Sequence, residues 1–116
     1  MIKRLLTVLL LFFTSAYGES SILCIGDSIT EGGSSFKVYR YPLNDLLNKA
    51  GFKFSFVGSK SRAQDGVTLK HNGYGGKNTK YLSDNIEEFY KANPADFVLI
   101  HSGHNSFAKD KPVKGI

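Results

Sequence analysis

Hydrophobic and polar positions follow two different periods along the chain, and the alternation between them predicts five elements. Leu43, Leu46 and Leu47 have the i, i+3, i+4 spacing of a helix, and a similar apolar stripe recurs after residue 78. Residues 53–57 alternate as in a half-buried strand, whereas two uninterrupted apolar runs are typical of strands buried on both faces. We predict strands at residues 21–25, 53–57 and 96–101, and helices at residues 41–50 and 78–92.

The order strand, helix, strand, helix, strand predicts right-handed crossovers and a parallel sheet in a single α/β domain. Residues 59–76 are rich in Gly, Ser, Asn and Asp and show no apolar period, so we expect mostly loop there. Loops of this length in compact domains are usually functional or disordered.

The first 18 residues have the features of a signal peptide. Lys3 and Arg4 precede an apolar run over residues 5–13, and Ala16 and Gly18 have the small-x-small spacing of a cleavage site. The run is too short to span a bilayer, which takes about 20 residues. We therefore expect cleavage after about Gly18, a secreted or periplasmic protein without a stable membrane anchor, and a domain over residues 19–116.

The charge of the chain gives no reason to expect a nucleic-acid partner. Loss of Lys3 and Arg4 with the leader lowers the basic residues from 15 to 13, which against 10 acids leaves a net charge of 13 − 10 = +3. The remaining lysines are scattered as on a solvated surface, and no basic cluster stands out.

Cys24 is the only cysteine, so the chain holds no internal disulfide. A buried strand thiol is the favoured interpretation, because free cysteines are among the most buried residues. Lipid attachment is the alternative, but such sites usually have a small residue before the cysteine, where this chain has Leu23.

The strongest candidate for chemistry is Ser28, which follows a buried strand through Gly26 and Asp27. Ligands of open parallel sheets bind outside the carboxyl ends of the strands, and a serine in such a turn exposes its hydroxyl. If a helix follows, free N–H groups back that hydroxyl, which suits a nucleophile. The alternative is structural: Ser28 caps the helix and Gly26 permits the turn.

Two further loops fall at the same end of the predicted sheet. Gly75 and Gly76 precede the second helix, and Gly103, His104 and Asn105 follow the third strand. Acyl transfer needs hydrogen-bond donors aimed where oxyanion charge develops. The Ser28 N–H, a glycine N–H and the Asn105 amide would supply three, although glycines and asparagine also serve simply as turn formers.

These segments resemble the SGNH (GDSL) hydrolase family. Residues 26–30 (GDSIT) resemble its first block, 71–76 (HNGYGG) its second and 103–105 (GHN) its third. The resemblance implies a flavodoxin-like three-layer α/β/α fold with a parallel sheet, and ester hydrolysis without metal or cofactor. It implies Ser28 as nucleophile and Gly76 and Asn105 as oxyanion donors. Supporting or substrate-binding roles are expected for Asp27, Gly75 and His104.

The family's fourth block, an Asp-x-x-His that supplies the base, is not present in the 116 residues. A serine needs a base at neutral pH. Of the three histidines, His104 is a poor candidate, His101 is expected to be packed or supporting, and His71 is expected in a loop near the substrate. We therefore expect the N-terminal portion of a longer enzyme, cut after the third strand, with an open strand edge and poor solubility.

The resemblance implies a serine esterase acting on carboxylic esters; the predicted export and residues 71–76 resemble the carbohydrate branch of the family, which acts on carbohydrate O-acetyl groups. Lys77 and Ser106 depart from the pattern of the carbohydrate branch, so lysophospholipid or thioester substrates stay open. The alternative from another class is a catalytically inactive carbohydrate-binding module. A phosphate-binding loop at residues 26–33 is disfavoured, because those residues lack the glycine order and the Gly-Lys-Ser/Thr ending of such loops.

Overall fold

A computed structural model describes residues 18–107 of the chain, so the proposed signal peptide lies almost wholly outside the described residues. The chain forms five strands and three helices. They are β1 (Ser20–Gly26), α1 (Ser28–Glu31), α2 (Arg40–Lys49), β2 (Phe54–Val57), β3 (Lys60–Gln64), β4 (Val67–Gly73), α3 (Thr79–Ala92) and β5 (Phe97–His101).

The parallel sheet is built on β1. Ser20 to Leu23 pair with β2, and Ile22 to Gly26 pair with β5. Because Ile22 pairs with both Phe56 and Phe97, the two neighbours lie on opposite sides of β1. The three predicted strands therefore have the order second, first, third, which is the start of a flavodoxin-like sheet. The predicted fold class is confirmed.

The expected loop at residues 59–76 is wrong, because most of it is a β-hairpin of β3 and β4. Asp65 and Gly66 form its two-residue turn with φ of +50° and +79°, as turns that match strand twist require. Leu69 faces the core while the rest of the hairpin is largely polar, which hid the strand period. The Asp-Gly pair was the signal that identifies this hairpin.

Alternate residues of β1 build cores on the two faces of the sheet. Ile22 and Cys24 pack with α2 and the segment before it, whereas Leu23 and Ile25 pack with α3 through Leu82. Cys24 is fully buried and unpaired, which confirms the predicted strand thiol. The result is the expected three-layer arrangement, in which residues 27 and 28, directly after β1, lie at the carboxyl edge of the sheet.

The edge strand β5 is exposed along its whole length within the described residues. Phe97 and Ile100 remain 58% and 57% exposed. An apolar cavity of about 690 Å³ opens between Phe97 and Leu99 of this strand and the end of α2. The predicted open edge is therefore present in residues 18–107. No helix in this range is long and apolar enough to cross a membrane.

Candidate active site

Ser28 is the first residue of α1 and stands directly after β1. The N-cap of this helix is Asp27, whose Oδ1 accepts the Ile29 N–H at 2.9 Å. The alternative in which Ser28 caps the helix is therefore wrong, since Asp27 has that role. Neither the hydroxyl nor the N–H of Ser28 has a hydrogen-bond partner among the described residues. Both stay available to a ligand.

Gly26 sets the close packing beneath Ser28. A Cβ at this position would lie 2.4 Å from the His101 carbonyl oxygen and 2.2 Å from the Thr30 Oγ1. The glycine thus lets α1 start immediately above the β1–β5 pair. Asp27 is completely buried there, and its Oδ2 lacks a partner in the described part of the chain, as does the Ser102 Oγ.

Residues 73–77 form the second part of the site, which we name the glycine loop. Four of its five amides have acceptors: Gly73 N–H bonds to His71 Nδ1, Tyr74 N–H to Gly26 O, Gly75 N–H to Glu31 Oε2, and Lys77 N–H to Tyr74 O. The remaining amide, that of Gly76, has no acceptor within residues 18–107. Its φ of +76° is a backbone conformation that favours glycine. The loop therefore leaves one free donor, at the predicted oxyanion glycine.

The loop after β5 docks onto the glycine loop. The Asn105 Nδ2 donates to the Lys77 carbonyl oxygen at 3.0 Å, and the Ser106 Oγ accepts the Thr79 N–H at 3.1 Å. The Asn105 amide is thereby held at Lys77, the residue after Gly76, and its second hydrogen has no acceptor within residues 18–107. His104, in the same turn, is exposed.

The glycine loop also contacts the nucleophile position directly. A Cβ placed on Gly75 would lie 3.7 Å from the Cβ of Ser28, so Gly75 lies close to the Ser28 side chain. Ser28 thus lies close to the glycine loop, and Asn105 donates a hydrogen bond to the same loop at Lys77. Action of all three donors on a single oxyanion stays a prediction.

His71 was expected in a loop near the substrate. It lies instead inside β4, where it is 1% exposed. Burial, followed by the charges of Arg40 and Lys60, lowers the pKa of His71 to about 4. A neutral ring accepts the Gly73 N–H, which supports the start of the glycine loop. His101 was expected to be packed or supporting; it is exposed within residues 18–107, so it is not packed there, and a supporting role stays a prediction.

Three charged residues beneath the site, Glu31, Lys60 and Arg40, were missed. Glu31 ends α1, and its carboxylate accepts the Gly75 N–H and an ammonium hydrogen of Lys60. Burial alone would raise the pKa of Glu31, but the hydrogen bonds from Lys60 and Gly75 and the Lys60 charge outweigh it and lower the pKa. The Glu three residues after the candidate serine was the available signal; the identity of Lys60 as partner depends on the unpredicted hairpin.

Arg40 is the third missed residue, and its guanidinium supports α1 from below. It is completely buried and donates to the carbonyl oxygens of Thr30, Glu31 and Leu69 at 2.9, 3.2 and 3.2 Å. The first two are terminal carbonyls of α1, which a four-residue helix cannot satisfy itself. Within residues 18–107, no group of three His, Cys, Asp or Glu side chains is arranged to hold a metal ion.

The chain has the SGNH hydrolase fold in the form seen in carbohydrate esterases. It superposes on the Clostridium thermocellum family 3 carbohydrate esterase with a TM-score of 0.71 and 28% identity. A family 3 carbohydrate esterase from Talaromyces cellulolyticus gives 0.63 and 23%, and a serine-to-alanine mutant of an acetyl esterase with an acetate ion gives 0.61 and 21%.

The superpositions cover 85%, 74% and 74% of this chain, but only 49%, 44% and 44% of those proteins. The chain thus spans about half of their length. No family model matches the sequence. No curated protein matches it either.

Proposed function

We propose that the protein is a serine esterase that removes acyl groups, most simply acetyl, from carbohydrate esters. One observation carries the proposal: among the described residues the N–H groups of Ser28 and Gly76 lack acceptors and the Ser28 hydroxyl has no partner, while Gly75, the residue before Gly76, lies close to Ser28. Unpaired donors next to a nucleophile are what an oxyanion hole requires. The likeness to carbohydrate esterases supports the substrate class at the level of the fold.

In the proposed reaction the Ser28 Oγ attacks the ester carbonyl carbon while a general base takes its proton. The carbonyl oxygen becomes an oxyanion, which the Ser28 and Gly76 N–H groups and the Asn105 amide stabilise. Collapse of this intermediate breaks the bond to the alcohol oxygen, which leaves with the proton from the base. Water then hydrolyses the acyl-enzyme through the same donors and base.

The general base is proposed to lie outside residues 18–107. His71 is unsuitable, because its ring is buried and its Nδ1 already accepts the Gly73 N–H. No histidine in the described range hydrogen-bonds to the Ser28 hydroxyl. An Asp-x-x-His elsewhere in the encoded protein would complete the site, as the family resemblance implies.

The proposal is tested with Ser28→Ala in the protein expressed from its complete coding sequence, assayed on p-nitrophenyl acetate and on acetylated xylo-oligosaccharides. We expect turnover to fall by about 10³-fold or more, because the nucleophile is lost. Ser35→Ala is the matched control, since this serine is exposed in the loop after α1. Turnover that survives Ser28→Ala would refute the esterase assignment.

The Ser28 hydroxyl without a basic partner in the described range also favours a second candidate, an inactive carbohydrate-binding module. That candidate predicts saturable binding of xylo-oligosaccharides by the intact protein with no ester turnover. The same two assays, applied to the unsubstituted protein, separate the two functions.

A further inference from the structure

Glu31 and Ser28 occupy one turn of the same helix, and Glu31 reaches the glycine loop from there. Its Oε2 accepts the Gly75 N–H, and its Oε1 accepts the Lys60 Nζ at 2.9 Å. The Glu31 and Lys60 side chains are 32% and 34% exposed, so the ion pair between them is partly shielded from water, whereas the hydrogen bond from Gly75 lies at the surface. The glycine loop is therefore attached to the helix that carries Ser28.

Lys60 holds the same loop at a second point. Its Nζ donates to the Gly73 carbonyl oxygen at 2.7 Å and lies 4.8 Å from the centroid of the Tyr74 ring. Glu31 thus accepts a hydrogen bond from the Gly75 N–H, and Lys60 donates one to the Gly73 carbonyl oxygen. Backbone packing adds to this, since a Cβ on Gly73 would lie 2.3 Å from the Glu31 nitrogen.

We propose that Glu31 is a positioning residue for the oxyanion hole: by accepting the Gly75 N–H it fixes the next peptide, so that the Gly76 N–H points free beside Ser28. The inference rests on the proposed esterase function. The Glu31 carboxylate bonds to Lys60 and Gly75 and not to Ser28 within residues 18–107, so it acts through the glycine loop rather than on the reacting atoms. It makes the nucleophile and a separate hydrogen-bond donor parts of one rigid unit, which transition-state stabilisation requires.

The effect of losing Glu31 is measured as a split between kcat and KM. Glu31→Ala frees the Gly75 amide, so we expect kcat to fall roughly 10- to 100-fold with KM changed by less than about 2-fold. Glu31→Gln keeps an acceptor for Gly75 and should recover most of that loss. Glu87→Ala is the matched control, because Glu87 also pairs with a lysine but is exposed on α3.

A readout without catalysis tests the geometry. In the intact protein labelled with [15N]glycine, Glu31→Ala should move the Gly75 amide proton upfield and speed its exchange with solvent by about 10-fold or more. The Gly66 amide, in the hairpin turn, should not change. Unchanged shift and exchange at Gly75 would overturn the proposed contact.

The two readouts separate the two proposals. A perturbed Gly75 amide with unchanged kcat would overturn the positioning role while leaving the esterase intact. Turnover that is insensitive to Ser28→Ala would remove the esterase function, and the role of Glu31 in an oxyanion hole with it. A perturbed amide together with a loss confined to kcat supports the inference.

Discussion

The Nδ1 of His71 accepts the Gly73 amide hydrogen at 2.9 Å, so the last residues of β4 are tied together under the candidate site. The ring is buried, and the charged groups around it are Arg40, Lys60, Glu31 and Arg62. Three of the four are cations and disfavour a second proton on the ring. The Gly73 contact therefore requires a neutral histidine.

The protein should become less stable as the pH is lowered, because of His71. Its pKa is lowered from 6.5 to about 4 on folding, so between these values the unfolded chain binds a proton that the folded chain does not. The free energy of unfolding should fall by about 3 kcal/mol as pH decreases through this window, and level off below it. Urea denaturation across the window measures the slope, and His71→Asn should flatten it. An equal slope in both proteins would contradict the assignment to His71.

Arg40 should be the most costly charged side chain to alter. Lysine cannot reach the carbonyl oxygens of Thr30, Glu31 and Leu69 together, so Arg40→Lys leaves buried acceptors unpaired and a buried cation poorly solvated. We expect a loss of about 3 kcal/mol, measured by urea denaturation. Arg62→Lys, on β3, should change stability by less than about 0.5 kcal/mol. Equal losses in the two variants would show that the three carbonyl contacts contribute little.

The sequence predicted the helices and strands in which apolar residues recur with a clear period. Both long helices and all three predicted strands lie within two residues of their observed bounds, because their apolar positions repeat and Asn78 caps α3 as such residues do. The hairpin of β3 and β4 was missed, since polar residues dominate both strands and only Leu69 belongs to the apolar core. The pairing of β3 with β4 is not visible in the local pattern of apolar and polar residues.

The residues of the candidate site likewise fall into those that the sequence indicated and those that it did not. Ser28 and the loop of residues 103–105 were placed at the carboxyl edge of the sheet because they follow predicted strands, whereas Gly76 was assigned through the family resemblance. The roles of Ser28, Gly76 and Asn105 stay predictions. Glu31, Lys60 and Arg40 were missed, since their partners are backbone groups far away in the chain. The interior location of His71 likewise depends on the hairpin register, which no single-segment pattern reveals.

Gly73 should tolerate no side chain. Alanine there would bring its Cβ to 2.3 Å from the Glu31 nitrogen and 2.6 Å from its Cα, and backbone atoms cannot rotate away. We expect Gly73→Ala to cost about 3 kcal/mol of stability. The control is Gly66→Ala, where no atom lies within 4 Å and the cost is the strain of φ at +79°, about 1 kcal/mol. Urea denaturation ranks the two; the reverse order would contradict the close approach of β4 and α1.

Asn105 should affect turnover much more than binding. Its amide is proposed to stabilise the oxyanion, so Asn105→Ala should lower kcat by about 10²-fold with little change in KM. Steady-state kinetics on p-nitrophenyl acetate measure this, with the exposed Asn48→Ala on α2 as control. A change confined to KM would instead assign Asn105 to substrate binding.

The exposed strand β5 should make the 116-residue chain self-associate. Phe97 and Ile100 are more than half exposed on an edge strand, and an unpaired edge with apolar side chains is a template for pairing with another chain. We expect sedimentation velocity to show concentration-dependent oligomers that decrease when both residues are replaced by lysine. Leu46→Lys, on α2, should leave the distribution unchanged, since Leu46 is also an exposed apolar side chain but belongs to a helix and not to β5. A monodisperse, cooperatively melting monomer from the unsubstituted chain would show that β5 is tolerated as it stands.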